Sequence, residues 1–355
     1  MPTFCRHGRL LTNCPICTRE QGVAMRPLIS GGTRTEQEVG TSTGGDTGDG
    51  NAATGDAAAA AKPGRQRRPQ AGARGRRPNP KTPGNLRVHK LARGADDGFH
   101  AIIVPGLKSS DDAERLAAEI AFAAARLERL GTPESGLWAE VAGTGDIEER
   151  TWLAFLIAYI GPLEESDPWA SIAAARLPWA TIAAGETPAL TDVVPGSRGG
   201  LQPGSAAVTV AAYRAWVERA GSQARAFTGE PSWTPERRFE RCFERLALGG
   251  LGRDTRFELL SGLGAAGVYP IAAGRLELGG ENEATWAAKR VLGIGDPMLL
   301  ERRAAELADA CEVPLGALDL ALQNWGSGRR LGVGVEVELE PDADVLARVR
   351  AALRL

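Results

Sequence analysis

All eight tryptophans of the 355-residue chain lie beyond residue 130. Large aromatic side chains dominate the apolar surface that a core can bury, so their confinement to one end fixes where the folded body begins. The first quarter carries a disproportionate share of the 45 glycines and 22 prolines. Residues 18–60 are mostly Gly, Thr, Ala and Asp, including the runs Gly44-Gly45 and Ala57 to Ala61. Such a segment cannot bury enough apolar surface to offset its chain entropy. The expected organisation is a Cys-rich element at 1–17, a disordered linker at 18–95, a folded domain at 96–330, and a C-terminal strand and helix at 331–355.

No stretch of 18 or more apolar residues is present, and the longest apolar segment, Trp152 to Ile160, is too short to cross a bilayer. The first 17 residues lack the apolar run and cleavage pattern of a secretory leader. A soluble, cytoplasmic protein with no membrane partner is expected. Charge is unevenly distributed. Residues 61–95 hold eleven Lys or Arg and no Asp or Glu, whereas the chain from Asp96 onward holds 26 basic and 38 acidic residues, a net of −12. A basic tether is therefore joined to an acidic domain.

Helical periodicity governs the folded part. Ser110-Asp111-Asp112 supplies a cap and an acidic first turn, and Leu116, Ile120, Ala123 and Leu127 recur at helical spacing up to Gly131. Further helices are expected from Glu148 to Ile160, Val208 to Ala220, Pro235 to Leu248, Arg256 to Leu263, Trp286 to Leu292, Pro297 to Cys311 and Leu315 to Trp325, with a last one starting at Asp342. Only Leu331 to Glu340 (LGVGVEVELE) alternates with period two and reads as a strand. The domain is mainly α.

Cys5, His7, Cys14 and Cys17 place three thiols and an imidazole within thirteen residues. A Cys-x2-Cys pair can set two thiolates on one tetrahedral zinc, and a segment this short needs the metal to fold. These four residues are the expected ligands of a structural Zn2+. The alternatives are free thiols in a floppy tail, or a redox pair, which normally sits in a βαβ context not found here. Cys242 and Cys311 fall on apolar helix faces and read as inert core residues.

In the tether, Arg74-Gly75-Arg76-Arg77-Pro78 resembles an AT-hook core, with one Arg more than usual before the proline. Narrow minor grooves focus negative potential and attract Arg, and Gly lets the backbone approach closely. Arg74, Arg76 and Arg77 are thus candidate DNA contacts; the alternative is a solvated linker that binds RNA or nothing. A second candidate is the helix–turn–helix around Gly293-Ile294-Gly295. Its glycines can aim backbone amides at a phosphate, and the following helix, starting at Asp296-Pro297, adds its dipole. Lys289 and Arg290, just before the turn, could touch phosphate or merely sit at a helix end. Arg253, Arg256 and Arg302-Arg303 share that ambiguity. Trp152, Trp216, Trp286 and Trp325 read as core rather than as base-stacking platforms. Glu148 and Glu149 could be acid–base groups but equally open a helix where acids are favoured.

The stretch from Trp286 to Trp325 resembles the helix-hairpin-helix DNA glycosylases. That superfamily carries an essential Asp a little over twenty residues beyond its hairpin; here Asp319 follows Val313-Pro314-Leu315 and lies 24 residues after Gly295. Bifunctional members add a Lys just inside the hairpin, where this chain has Asp296-Pro297-Met298, so Schiff-base lyase chemistry is not expected. Three longer blocks, Glu148 to Pro168 (EERTWLAFLIAYIGPLEESDP), Leu251 to Gly264 (LGRDTRFELLSGLG) and Lys289 to Trp325, resemble the α-glutamyl/putrescinyl thymine pyrophosphorylase family, clade 3. The resemblance implies a DNA-directed enzyme acting on a modified, hypermodified-thymine-type base. An amine co-substrate would displace pyrophosphate, or the N-glycosidic bond would be cleaved, with Asp319 as the catalytic carboxylate. The alternative is a non-enzymatic DNA-binding or adaptor protein using the zinc element, the tether and the hairpin.

Overall fold

The computed structural model describes residues 94–355, apart from Ser135 and Val337. The expected zinc ligands, Cys5, His7, Cys14 and Cys17, and the tether arginines 74, 76 and 77 lie outside the described residues. The described chain is helical, with no strand among its described residues. The longest helix, α1 (Ser110–Gly131), is capped by Ser109, whose hydroxyl accepts from the Asp112 N–H, and it buries Leu116, Ile120, Ala123 and Leu130. A short α2 (Leu137–Ala142) leads into α3 (Ile147–Ile160), in which every residue from Thr151 to Ile160 is buried. A helix that is apolar all round must be covered on all sides. The helices α9, α2, α7, α4 and α5 cover it, with ranges Arg253–Ala265 for α9, Gln223–Thr228 for α7, Ala170–Ala175 for α4 and Trp179–Ala183 for α5.

An aromatic chain fastens this half of the core. Trp152 and Phe155 of α3 stack at 5.2 Å, and Phe155 meets Tyr213 of α6 (Ala206–Ala220) at 4.1 Å. Trp216 then meets Phe227 of α7 at 5.2 Å, and Phe227 stacks on Tyr269 at 5.4 Å. Next to it, α8 (Pro235–Arg245) starts at Pro235 with Thr234 as cap and buries Phe239, Cys242 and Phe243. It stops three residues before the expected Leu248, because Arg256 reaches back to the Phe243 carbonyl at 2.8 Å and stacks over its ring. The other half of the core is formed by α1, α10 (Glu283–Leu292), α11 (Pro297–Cys311), α12 (Leu315–Ser327) and α13 (Ala343–Leu353). Residues 331–355 belong to this body: α13 packs on α1 and α11, burying Val349 and Leu353.

Among its described residues, the alternating segment 331–340 does not form the expected strand. A strand needs a neighbour to satisfy its backbone, and none is offered among the described residues. Instead Val333 takes a left-handed φ of 47°. Its carbonyl accepts from the Arg126 Nε and Nη2 at 3.3 and 3.0 Å. Period two here reflects two buried apolar residues, Leu331 and Val333, tucked into a turn.

Candidate functional site

The turn between α10 and α11 is built as its sequence dictates. Asn282 caps α10 by accepting from the Thr285 N–H at 2.9 Å, and Gly293 ends the helix in the left-handed region, φ 65°, which an L side chain adopts only with strain. Asp296 caps α11 by accepting from the Leu299 N–H at 2.9 Å, with Pro297 at the first helical position. Ile294 packs partly against the core, while Gly293, Gly295 and Lys289 are exposed. The amides of Ile294 and Gly295 meet no backbone acceptor among the described residues. Arg290 is held differently: its guanidinium lies 4.9 Å above the Trp325 ring. The Asp296 carboxylate sets a negative charge at the start of α11, so the helix dipole there is already answered. What the turn offers an anion is its own two amides and Lys289.

Asp319 stands elsewhere. The helix carrying it starts at Leu315 with Pro314 before it, so Asp319 lies in the second turn and caps nothing. It is 1% exposed and receives Arg198 on one carboxylate oxygen and Arg253 on the other. Arg198 comes from the loop before α6, which runs so close to the end of α3 that only glycine fits: a Cβ on Gly199 would stand 2.0 Å from the Ile160 carbonyl. This close approach delivers the guanidinium into the core, where it also lies 3.4 Å from Glu258 and donates to Gln323 at 2.6 Å. Glu258 is in turn paired with Arg126, and Arg253 with Asp254 at 3.0 Å. Burial pushes the Asp319 carboxyl upward, but Arg253 and Arg198 outweigh it and hold it below the ordinary 3.8. Burial likewise works against the charge of Arg198, and Asp319 and Glu258 reverse that, raising its pKa.

The sequence reading did not anticipate Arg126, Arg198 or Glu258. Arg126 had a signal: Phe122 and Leu130, four residues to either side, point inward and carry it with them. Arg198, in a loop, had none. Three cavities, of about 1060, 460 and 230 Å3, are lined by other residues, and none of them by Asp319. Glu148 and Glu149 are helix anchors: Glu148 accepts from the Gln223 and Ala224 amides at 2.8 and 2.9 Å, and Glu149 from the Trp179 amide at 2.7 Å. Trp152, Trp216 and Trp325 are buried, but Trp286 is 42% exposed. Arg302 and Arg303 pair with Glu306 on the surface of α11. Among the described residues no group of three His, Cys, Asp or Glu could hold a metal, and no helix is long and apolar enough to cross a membrane.

No protein-family model, curated protein or solved structure matches this chain.

Proposed function

We propose that this is a DNA-binding protein whose hairpin turn holds the phosphate backbone. One observation carries the reading: Ile294 and Gly295 present amides without backbone acceptors at an exposed turn, beside the exposed Lys289. Such a nest grips phosphate without reading sequence. The net charge of −12 beyond Asp96 repels a duplex, so the basic segment 61–95, with Arg74, Arg76 and Arg77, supplies the long-range attraction. Fluorescence anisotropy on a random duplex tests this with the double variant Lys289→Glu/Gly295→Asp. Nothing stands within 4 Å of a Cβ at Gly295, so the fold tolerates the change. Affinity should fall about tenfold at moderate salt; unchanged affinity removes the hairpin from the interface.

A second reading, base-directed catalysis, draws support from Asp319 being held ionised 24 residues after Gly295, where the family resemblance implies the catalytic carboxylate. In this reading the base is modified thymine, attacked by a small amine that displaces pyrophosphate or released by N-glycosidic cleavage. Contact with a base would require one of the two arginine pairs to open. Mass spectrometry of nucleosides and free bases from hypermodified DNA incubated with the protein separates the outcomes. A new nucleoside indicates transfer and a free base indicates cleavage. Unaltered DNA leaves binding alone.

A further inference from the structure

The cavity of about 1060 Å3 lies between the end of α1, the loop 163–169 and the segment 329–339. Its charges are unbalanced. Glu164, Glu165, Glu336 and Glu338 line it, and none has a cationic partner among the described residues. The lining arginines are largely spent: Arg129 pairs with Glu134 at 3.5 Å, and Arg330 with Glu119 at 2.8 Å while stacking on Phe122. Arg329 alone among them has no carboxylate partner among the described residues, against four carboxylates without a cation, of which Glu164 accepts only the Gly332 amide, at 3.4 Å.

A second observation is independent of charge. Trp138 lines the same cavity, is 1% exposed, and its Nε1–H has no acceptor among the described residues. Nε1 faces the cavity wall at Gly334, where an added Cβ would stand 3.2 Å from it. A buried indole N–H left unmade costs stability, and an acceptor brought by a ligand would satisfy it. Trp169, half-buried on the same wall, adds an aromatic face suited to a cation. The ligand must therefore carry positive charge and hydrogen-bond acceptors together. The volume lies at the top of the small-molecule range of roughly 300–1,000 Å3, more than a lone organic cation fills.

We propose that this cavity is a docking groove for a Lys- or Arg-bearing peptide segment of a partner protein. Its cationic side chains would meet the four glutamates and Trp169, and a backbone carbonyl would take the Trp138 N–H. The test is fluorescence anisotropy of the full chain with a labelled peptide of alternating Lys and Ala, against the same peptide with Gln for Lys. The Lys peptide should bind and the Gln peptide should not. Glu164→Gln/Glu165→Gln/Glu336→Gln/Glu338→Gln should weaken binding at least about tenfold. The control Glu186→Gln/Asp192→Asn/Glu218→Gln/Glu230→Gln, four exposed acids elsewhere, should stay within about twofold. Equal losses in both variants would mean a general field of the acidic domain and would overturn the proposal, as would no loss in the first. Trp138→Phe keeps a ring and removes the donor, and should weaken binding about fivefold with the thermal midpoint little changed; full affinity in that variant would overturn the acceptor contact.

Discussion

Asp319 shows how burial changes the meaning of a residue. Read along the chain, it is a carboxylate poised near a helix start, and Asp319→Asn is then a mild, isosteric change. In the fold it neutralises two arginines whose side chains are 2% and 9% exposed. Removing its charge leaves Arg198 with Glu258 and Arg253 with Asp254 as their remaining carboxylate partners, and breaking a buried pair this way costs about 3–5 kcal/mol. We expect Asp319→Asn to lose about that much in urea unfolding; a loss below about 1 kcal/mol would show that the network is not sealed. The pH dependence carries a sign. The folded-state pKa is depressed, so the stabilisation is complete above the ordinary 3.8 and is lost as pH falls through the lowered value. Wild type should therefore lose stability more steeply than Asp319→Asn below about pH 4. Cys242 and Cys311 illustrate the simpler case. Burial pushes each thiol up to about 12, leaving them the inert core residues their apolar faces suggested.

At the level of elements, capping and periodicity located most helices well, because each was specified locally. Thr234-Pro235 and Asp296-Pro297 start α8 and α11 where their sequences say. The short helices α2, α4, α5 and α7, of five or six residues, have too few turns to display a period. Two of them are held from outside: Glu148 caps the amides that open α7, and Glu149 receives the first amide of α5. Cys5, His7, Cys14 and Cys17 lie outside the described residues, and the zinc expected on them carries a prediction of its own. Elemental analysis of freshly prepared, unchelated protein should find one zinc per chain, and Cys14→Ser should abolish it. Less than about half an equivalent in wild type would end the assignment.

For the molecule as a whole, the decisive quantity is the opposition between eleven basic residues at 61–95 and a net of −12 beyond Asp96. If the tether provides most phosphate contacts, log affinity for random duplex should fall steeply with log salt, by a slope close to the number of phosphates neutralised. Deleting 61–95 should flatten that slope, whereas an unchanged slope would move the contacts to the hairpin and its surroundings. The hairpin variant should then lower affinity with a slope change of only about one. Raising the local concentration of DNA near an acidic domain is a linkage effect and needs no basic face on the helices themselves.

The sequence by itself determined that the described chain is mainly α, where most helices start, that Trp152, Trp216 and Trp325 are buried, and that Cys242 and Cys311 are buried. These follow from period, caps and apolar faces, which act within one or two turns of the chain. Only the tertiary structure decided that the chain turns at Val333 instead of extending, since a strand depends on a neighbour that local sequence cannot supply. It alone brought Arg126, Arg198, Arg253, Glu258 and Asp319 together, from three helices and a loop. The physical reason is that a buried charge is specified by its partner, and here the partners lie up to 132 residues away along the chain.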